Sequence, residues 1–405
     1  MSPPLRPALL LRIFVPFALG YFLSYLFRVV NAVIAPELSA ELGLGASDLG
    51  LLTSAYFLAF AAFQLPLGIL LDRYGPRRTE AVLLLFAAAG ALIFARAEET
   101  AGLIAGRALI GFGVSACLMA AFKAFVQWFP AERLAAVNGL QLAAGGVGAL
   151  AATTPVEMAL GITDWRGIFS ALALLTLLAA LLIFLLAPER ESKHHGLNLG
   201  DHIQGIVSIF ASRRFWRLTP WTVTSQAAFL AIQGLWTGPW LRDVAGLERA
   251  QGALYQAWIA AAMVAGFALI GLGASRLIRR GIATEKVAAT GMLLFMLAQL
   301  AIIGGWGGVP AWALFGFTGT SGVLAYAALS QHFPAHLAGR ANTALNLLVF
   351  VGAFGAQWCI GALIGLWPED ARGHYPAAGY HWAFTAVLLS QAIGMAWYYL
   401  QRERP

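Results

Sequence analysis

Tyr21, Tyr25 and Arg28 follow one another at i, i+4 and i+7, so a helix brings two phenol hydroxyls and one guanidinium onto a single face. A guanidinium is a planar, permanently charged fork that grips a carboxylate, phosphate or sulfonate through two parallel hydrogen bonds. Arg28 has no acidic residue within eight positions on either side, and the stretch around it, SYLFRVVNAV, is otherwise built for lipid. Arg107 and Lys123 are two further cations inside apolar runs, sixteen residues apart. At 100° per residue they fall about 160° apart around a straight helix, so one faces a cavity while the other faces neighbouring helices. Glu157 is the single acid read as lying within such a run, near its outer end. Three cations against one peripheral carboxylate make a site that attracts an anion. Gln226, Gln233 and Trp240 repeat at i+7 with Trp236 beside them, and Tyr326, Asn346, Gln357 and Trp358 add polar and aromatic groups. They are candidates for holding the organic body of that anion.

The elements that must position these residues follow from composition. The chain of 405 residues is 60% hydrophobic and 11% charged, with a mean hydropathy of +0.74. A soluble chain carries about 25% charged residues. Apolar runs long enough to cross about 30 Å of hydrocarbon recur twelve times. They are expected near 11–35, 48–70, 79–97, 101–127, 135–158 and 167–187, then near 217–240, 252–275, 285–305, 309–331, 342–366 and 381–400. The short alternating segments of a membrane β-barrel are absent. The fold class is an all-α polytopic membrane protein. A mid-span Arg or Lys costs about 2.5–3.5 kcal/mol on insertion scales, so it faces a cavity or a partner.

The N-terminus runs into the first apolar stretch without a small-residue cleavage site and reads as a retained helix. Cys117 and Cys359 lie inside predicted spans, far apart, and imply neither a disulfide framework nor a metal site. The net charge of +7 is explained by topology. When the loops alternate, one side, bearing both termini, collects eighteen basic residues and the other five, with Arg28, Arg107 and Lys123 left inside spans. Positive charge marks the cytoplasmic side, so both termini are expected there, in a bacterial inner membrane. No nucleic-acid footprint remains.

One long polar interruption, around 187–215, divides the spans six and six. The expected organisation is a six-helix bundle over 1–188, a cytoplasmic linker over 189–215 and a second six-helix bundle over 216–405. The halves echo each other: QWFPAERLAAVN (Gln127 to Asn138) recurs as QHFPAHLAGRAN (Gln331 to Asn342), and GILLDRYGPRR (Gly68 to Arg78) recurs faintly as GLGASRLIRRG (Gly271 to Gly281). Repeated halves around a central site are the architecture of alternating-access carriers. Glycine numbers 44, and Gly361 with Gly365 has the G-x-x-x-G spacing that lets helix backbones approach closely.

GILLDRYGPRR, between the second and third spans, closely resembles the signature loop of the major facilitator superfamily. RALIGFG, from Arg107 to Gly113, is similar to that superfamily's second motif. The resemblance implies two pseudo-symmetric six-helix bundles, with spans 1, 4, 7 and 10 lining a central cavity. It also implies that Gly68, Asp72, Arg73 and Arg77 form a latch that closes the cytoplasmic face in the outward-open state. Among branches, AAFKAFVQWFPAER resembles the organic-anion, anion:cation symporter-like branch that includes sugar-acid and vesicular glutamate carriers. Phe27 and Val114 stand where that branch carries acids, so the likeness carries its charge preference and not its proton coupling. The glycine–proline pair of drug antiporters is not matched, and Val147 replaces the asparagine expected of nitrate carriers.

The expected function is secondary transport of a small organic anion, carboxylate-type, by a monomer in the lipid bilayer, coupled to a co-transported proton or to exchange for a counter-anion. Glu157 is the sequence's nominee for carrying a proton. Proton-driven multidrug or metabolite efflux is the rival, and it wants a deeply buried acid. A non-transporting sensor is the rival of another class. No G-x-x-x-x-G-K-[ST] loop is present, and no cluster of nucleophiles, acid–base pairs or metal ligands suggests an enzyme or a cofactor.

Overall fold

The computed structural model describes residues 7–129, 131–189, 199–306 and 308–401, and among these the chain forms helices and turns without strands. Among the described residues twelve spans cross the bundle, so Pro7 and Gln401 lie on one face, here called the terminal face; the other is the far face. Span 1 is Pro7–Val29 continued by Asn31–Leu42. Spans 2 and 3 share the helix Ala46–Arg96, which turns at Gly75, where φ is 77°. That left-handed conformation suits glycine and sets the loop between the two spans. Span 4 is Thr100–Gly113 and Cys117–Trp128, span 5 is Ala131–Ala151 and Thr154–Leu160, and span 6 is Trp165–Leu186.

Span 7 runs from Arg213–Ala231 through a π-helical turn, Ile232–Trp236, to Thr237–Asp243. Spans 8 and 9 are Arg249–Arg279 and Thr284–Ile303. Span 10 is Gly308–Gly319, a 3-10 turn at Thr320–Gly322, and Val323–Ser330. Spans 11 and 12 are Ala335–Ile364 and Ala377–Leu400. Within the stretch expected as a linker, residues 190–198 lie outside the described residues, Leu199–Phe210 is a helix, and Arg213 already opens span 7.

Spans 1, 4, 5, 7 and 10 are all interrupted part-way across. A break frees backbone carbonyls that lipid cannot satisfy, so something in the chain must donate to them. Hydroxyls add a donor at four breaks: Ser115 donates to Phe112, Thr153 to Leu150, Thr237 to Ile232 and Thr320 to Phe317, at 2.6–2.8 Å, and the Phe112, Leu150 and Ile232 carbonyls also accept the backbone N–H of the same residue. At the fifth, in span 1, the Arg107 guanidinium donates to the Phe27 carbonyl at 2.8 Å.

The two halves meet mainly through spans 2 and 11 and through spans 5 and 8. Towards the far face the seam is tight. A Cβ on Gly361 would stand 2.4 Å from the Ala46 carbonyl oxygen, so glycine permits the backbones of spans 11 and 2 to touch. Gln357 donates to the Thr53 hydroxyl at 2.6 Å, and the Trp236 indole donates to the Gln357 carbonyl at 2.9 Å. Arg249 pairs across the halves with Glu37 at 2.8 Å and Glu157 at 2.7 Å. Towards the terminal face, by contrast, Gly68 and Gly339 have open space where a Cβ would point. The bundle is closed at the far face and parted at the terminal face.

Candidate functional site

A cavity of about 370 Å³ lies between the halves, running from Arg28 to Gly339 and Asn342 at the terminal-face end of span 11. Of the sequence candidates, Tyr21, Tyr25, Arg28, Gln226, Tyr326 and Asn346 line it. They come from spans 1, 7, 10 and 11, and the expected helical register of span 1 places its three together. Among the described residues that line the cavity, Arg28 is the one charged side chain.

Arg28 is 6% exposed and its Nε has no hydrogen-bond partner. It makes no ion pair among the described residues. Instead its guanidinium carbon lies 4.4 Å from the centre of the Tyr25 ring, 5.3 Å from Phe350, 5.8 Å from Phe60 and 6.0 Å from Tyr56. Aromatic faces attract a cation through their quadrupole, contributing about 0.5–2 kcal/mol each depending on desolvation. They hold the charge in place without neutralising it, so the cavity keeps one net positive charge. Behind Arg28 a chain of polar groups crosses between the halves. Tyr326 donates to Asn346 at 3.1 Å, and Asn346 donates to Gln64 at 3.1 Å. Gln64 in turn reaches the Ser115 carbonyl, at the break in span 4, at 3.4 Å.

The other candidates lie elsewhere. Arg107 is buried against span 1, with its guanidinium over the Tyr56 ring at 4.9 Å as well as on the Phe27 carbonyl; it orders the break in span 1. Lys123 points away from the cavity and forms an ion pair with Asp72. Gln233 donates to the Met263 sulfur at 3.4 Å, and Trp236 belongs to the far-face seam with Gln357. Glu157 is held by Arg249 at the far face.

At the terminal face the loop expected to act as a latch makes its contacts within its own half. Gly68 faces open space, and Asp72 answers Lys123 within its own half instead of a helix of the other half. Arg73 lies over the Tyr74 ring at 5.3 Å. Arg77 donates to the Ala187 carbonyl at 3.4 Å, and Arg78 pairs with Glu189 at 2.9 Å, which ties span 3 to the end of span 6.

Four residues were not singled out from the sequence. Gln64 is the lone amide in an apolar run, AAFQLP, and that isolation was a usable signal. Phe60 and Phe350 cup the cation but look like any buried phenylalanine. Glu80 corrects the count of intramembrane acids: it falls at the very start of the span expected near 79–97, directly after Arg77 and Arg78, and is wholly buried in the bundle.

Comparisons with known proteins agree with this architecture. The chain is 28% identical over 277 residues to a probable sulfoacetate transporter of Cupriavidus necator, covering 65% of this chain and 64% of that one. It is 30% identical over 178 residues to a hexuronate transporter of Escherichia coli, covering 44% of this chain and 41% of that one. The chain thus spans less than two thirds of the length of these curated relatives. Among solved structures, a bacterial homologue of the human lysosomal transporter Spinster, in an inward-facing and unoccupied conformation, superposes with a TM-score of 0.77 at 17% identity, over 99% of both chains. A D-xylose–proton symporter gives 0.72 at 15% identity, over 95% of this chain and 97% of that one. At such identities the likeness speaks for the fold. Residues 17–357 match the model of the Major Facilitator Superfamily, and with its twelve spans in two halves around a central cavity, the chain belongs to that superfamily.

Proposed function

We propose that this protein is a secondary transporter of small organic monoanions, binding them at Arg28 and exposing them alternately to the two sides of a bacterial inner membrane. The observation that carries the reading is Arg28 itself: a buried guanidinium, ringed by aromatic faces, with no carboxylate partner among the described residues. One uncompensated cation balances one anionic group, so a single carboxylate or sulfonate fits better than a dianion. The phenols of Tyr21 and Tyr25 and the amides of Gln226 and Asn346 suit hydroxyls on the substrate's body, and Phe60 and Phe350 suit its carbon skeleton. The named substrates of the relatives, sulfoacetate and hexuronates, are organic anions; the hexuronates, with one carboxylate, fit the monoanion reading, whereas sulfoacetate, with two anionic groups, supports only the preference for anions.

The terminal face, rich in basic residues, is the cytoplasmic one in this reading, and the conformation described is open to the cytoplasm. In the outward-open state Asp72 leaves Lys123 and the signature loop closes against the other half. The test is thermal stabilisation of the purified protein by galacturonate, galactonate, sulfoacetate and nitrate, with methylammonium and choline as cationic controls. At least one organic anion raises the melting temperature of the wild type and leaves Arg28→Gln unmoved. Stabilisation by cations alone refutes the reading.

A further inference from the structure

Glu80 is 0% exposed, and neither of its carboxyl oxygens has a hydrogen-bond partner that meets ordinary geometry. It lies in a pocket made for it. A Cβ on Gly20 of span 1 would stand 2.3 Å from the Glu80 Oε1 and 3.6 Å from the Ile183 side chain of span 6. The facing group on span 4 is the Cys117 thiol, which interacts with the carboxyl and also lies within the field of Arg28. On its own helix, Arg77 is turned away to the Ala187 carbonyl, and Thr79 donates to the Leu70 carbonyl. Lys123 and Asp72, the nearest ion pair towards the terminal face, satisfy each other. The titratable neighbours are therefore a thiol and, further off, Arg28.

An ionised carboxylate without a donor is disfavoured in such surroundings, whereas its protonated form is tolerated. Gly20 and Cys117 adjoin Tyr21 and Leu118, which line the substrate cavity, so Glu80 stands one layer behind it. Arg28 is eight residues beyond Gly20 on the same helix, about 12 Å along the axis at 1.5 Å per residue.

We propose that Glu80 is the proton-binding group of this transporter, coupled to the anion site through the charge of Arg28. The coupling rests on the anion reading above and has a fixed sign. With the cavity empty, the positive Arg28 favours the Glu80 carboxylate. An anion on Arg28 cancels that field and favours the protonated carboxyl. By reciprocity, a protonated Glu80 raises anion affinity by the same factor, so proton and anion travel together. Taking that axial rise as the separation of the two charges, at an effective dielectric constant near 20, the factor is about tenfold.

Infrared titration of the full-length protein tests this without a substrate. The carbonyl band of the protonated acid is identified by its loss in Glu80→Gln and its displacement in Glu80→Asp and Cys117→Ser, three variants that do not all need to fold. In Arg28→Gln, which imitates the neutralised cation, the Glu80 proton is released about one pH unit higher than in the wild type. A band that titrates identically in both, or that never titrates, overturns the proposal. Galacturonate, galactonate and sulfoacetate are then titrated by calorimetry across pH. Affinity for the anion that binds falls about tenfold as pH rises through the Glu80 titration, and in Glu80→Gln it stays high and flat. If none of them binds, the anion reading fails while the infrared result still judges the link between Glu80 and Arg28.

Discussion

Removing the Arg249 side chain should open the far face. Arg249 begins span 8 and reaches two acids of the other half, Glu37 and Glu157. Side-chain exposures of 41%, 29% and 17% put both pairs partly in solvent, so the full Coulomb energy does not apply. Pairs of this kind contribute about 0.2–1 kcal/mol each, and the two together hold the seam with about 1 kcal/mol. That corresponds to a factor of about five in the ratio of closed to open far face. A cysteine in place of Ala253, 2% exposed and lining a small cavity with Arg249, reports the opening. In a Cys359→Ser background the native Cys117 is buried and silent. Maleimide labelling of this reporter should run about fivefold faster in Arg249→Ala, and about twofold faster in Glu37→Gln or Glu157→Gln. Raising the ionic strength should speed the wild type and change the variant little. A rate that is unchanged or slower in Arg249→Ala refutes the assignment of these pairs as the clasp of the far face.

Gly361→Ala places a methyl 2.4 Å from the Ala46 carbonyl and 2.9 Å from the Trp236 ring, an overlap that in packed interiors costs about 1–3 kcal/mol. The same reporter should label faster, and substrate counterflow should slow. Arg107→Met leaves the Phe27 carbonyl without its donor and should lower stability by about 1–3 kcal/mol, read as a fall in melting temperature. Its anion-induced stabilisation should persist, in contrast to Arg28→Gln. In the far-face loop, backbone N–H groups of His374 and Arg372 donate to Asp370 at 2.9 and 2.8 Å and hold its carboxyl below the usual aspartate range. A carboxyl depressed in the fold stabilises it above the unfolded value, about 3.9, and the benefit fades as pH falls through the depressed one. Amide exchange at Arg372 and His374 should therefore accelerate in that acid range, and Asp370→Asn should show the fast exchange already at neutral pH.

Much of this molecule could be read from residue order, because lipid leaves so few solutions for an apolar run. The spans fall where hydropathy puts them, and the helices extend past them, as Pro7 and Leu42 do around the expected 11–35. The breaks at Val30, Ser115, Thr153, Ile232 and Thr320 were not legible. Polar and small residues mark some of them, TTP at 153–155 and TGTSG at 318–322, but whether such a stretch breaks a helix is decided by which donors the fold brings to its carbonyls. The same reason separates Arg28 from Arg107. Both are lone arginines in apolar runs, and their difference lies in the Phe27 carbonyl, eighty residues away from Arg107 in sequence. Lys123 found its acid in the loop before span 3, a pairing that spacing along one helix does not reveal.

The interrupted spans divide the protein mechanically. Spans 6, 8, 9, 11 and 12 are unbroken rods, while spans 1, 4, 5, 7 and 10 are each jointed part-way across. A joint whose loose carbonyl is already held by a nearby hydroxyl or guanidinium bends without exposing new polar backbone to lipid. Small deflections at these joints can narrow the cavity while the unbroken spans keep their shape. How closely the cavity can fit what fills it is then set by compliance at Ser115, Thr153, Thr237, Thr320 and the Arg107–Phe27 contact as much as by its shape at rest.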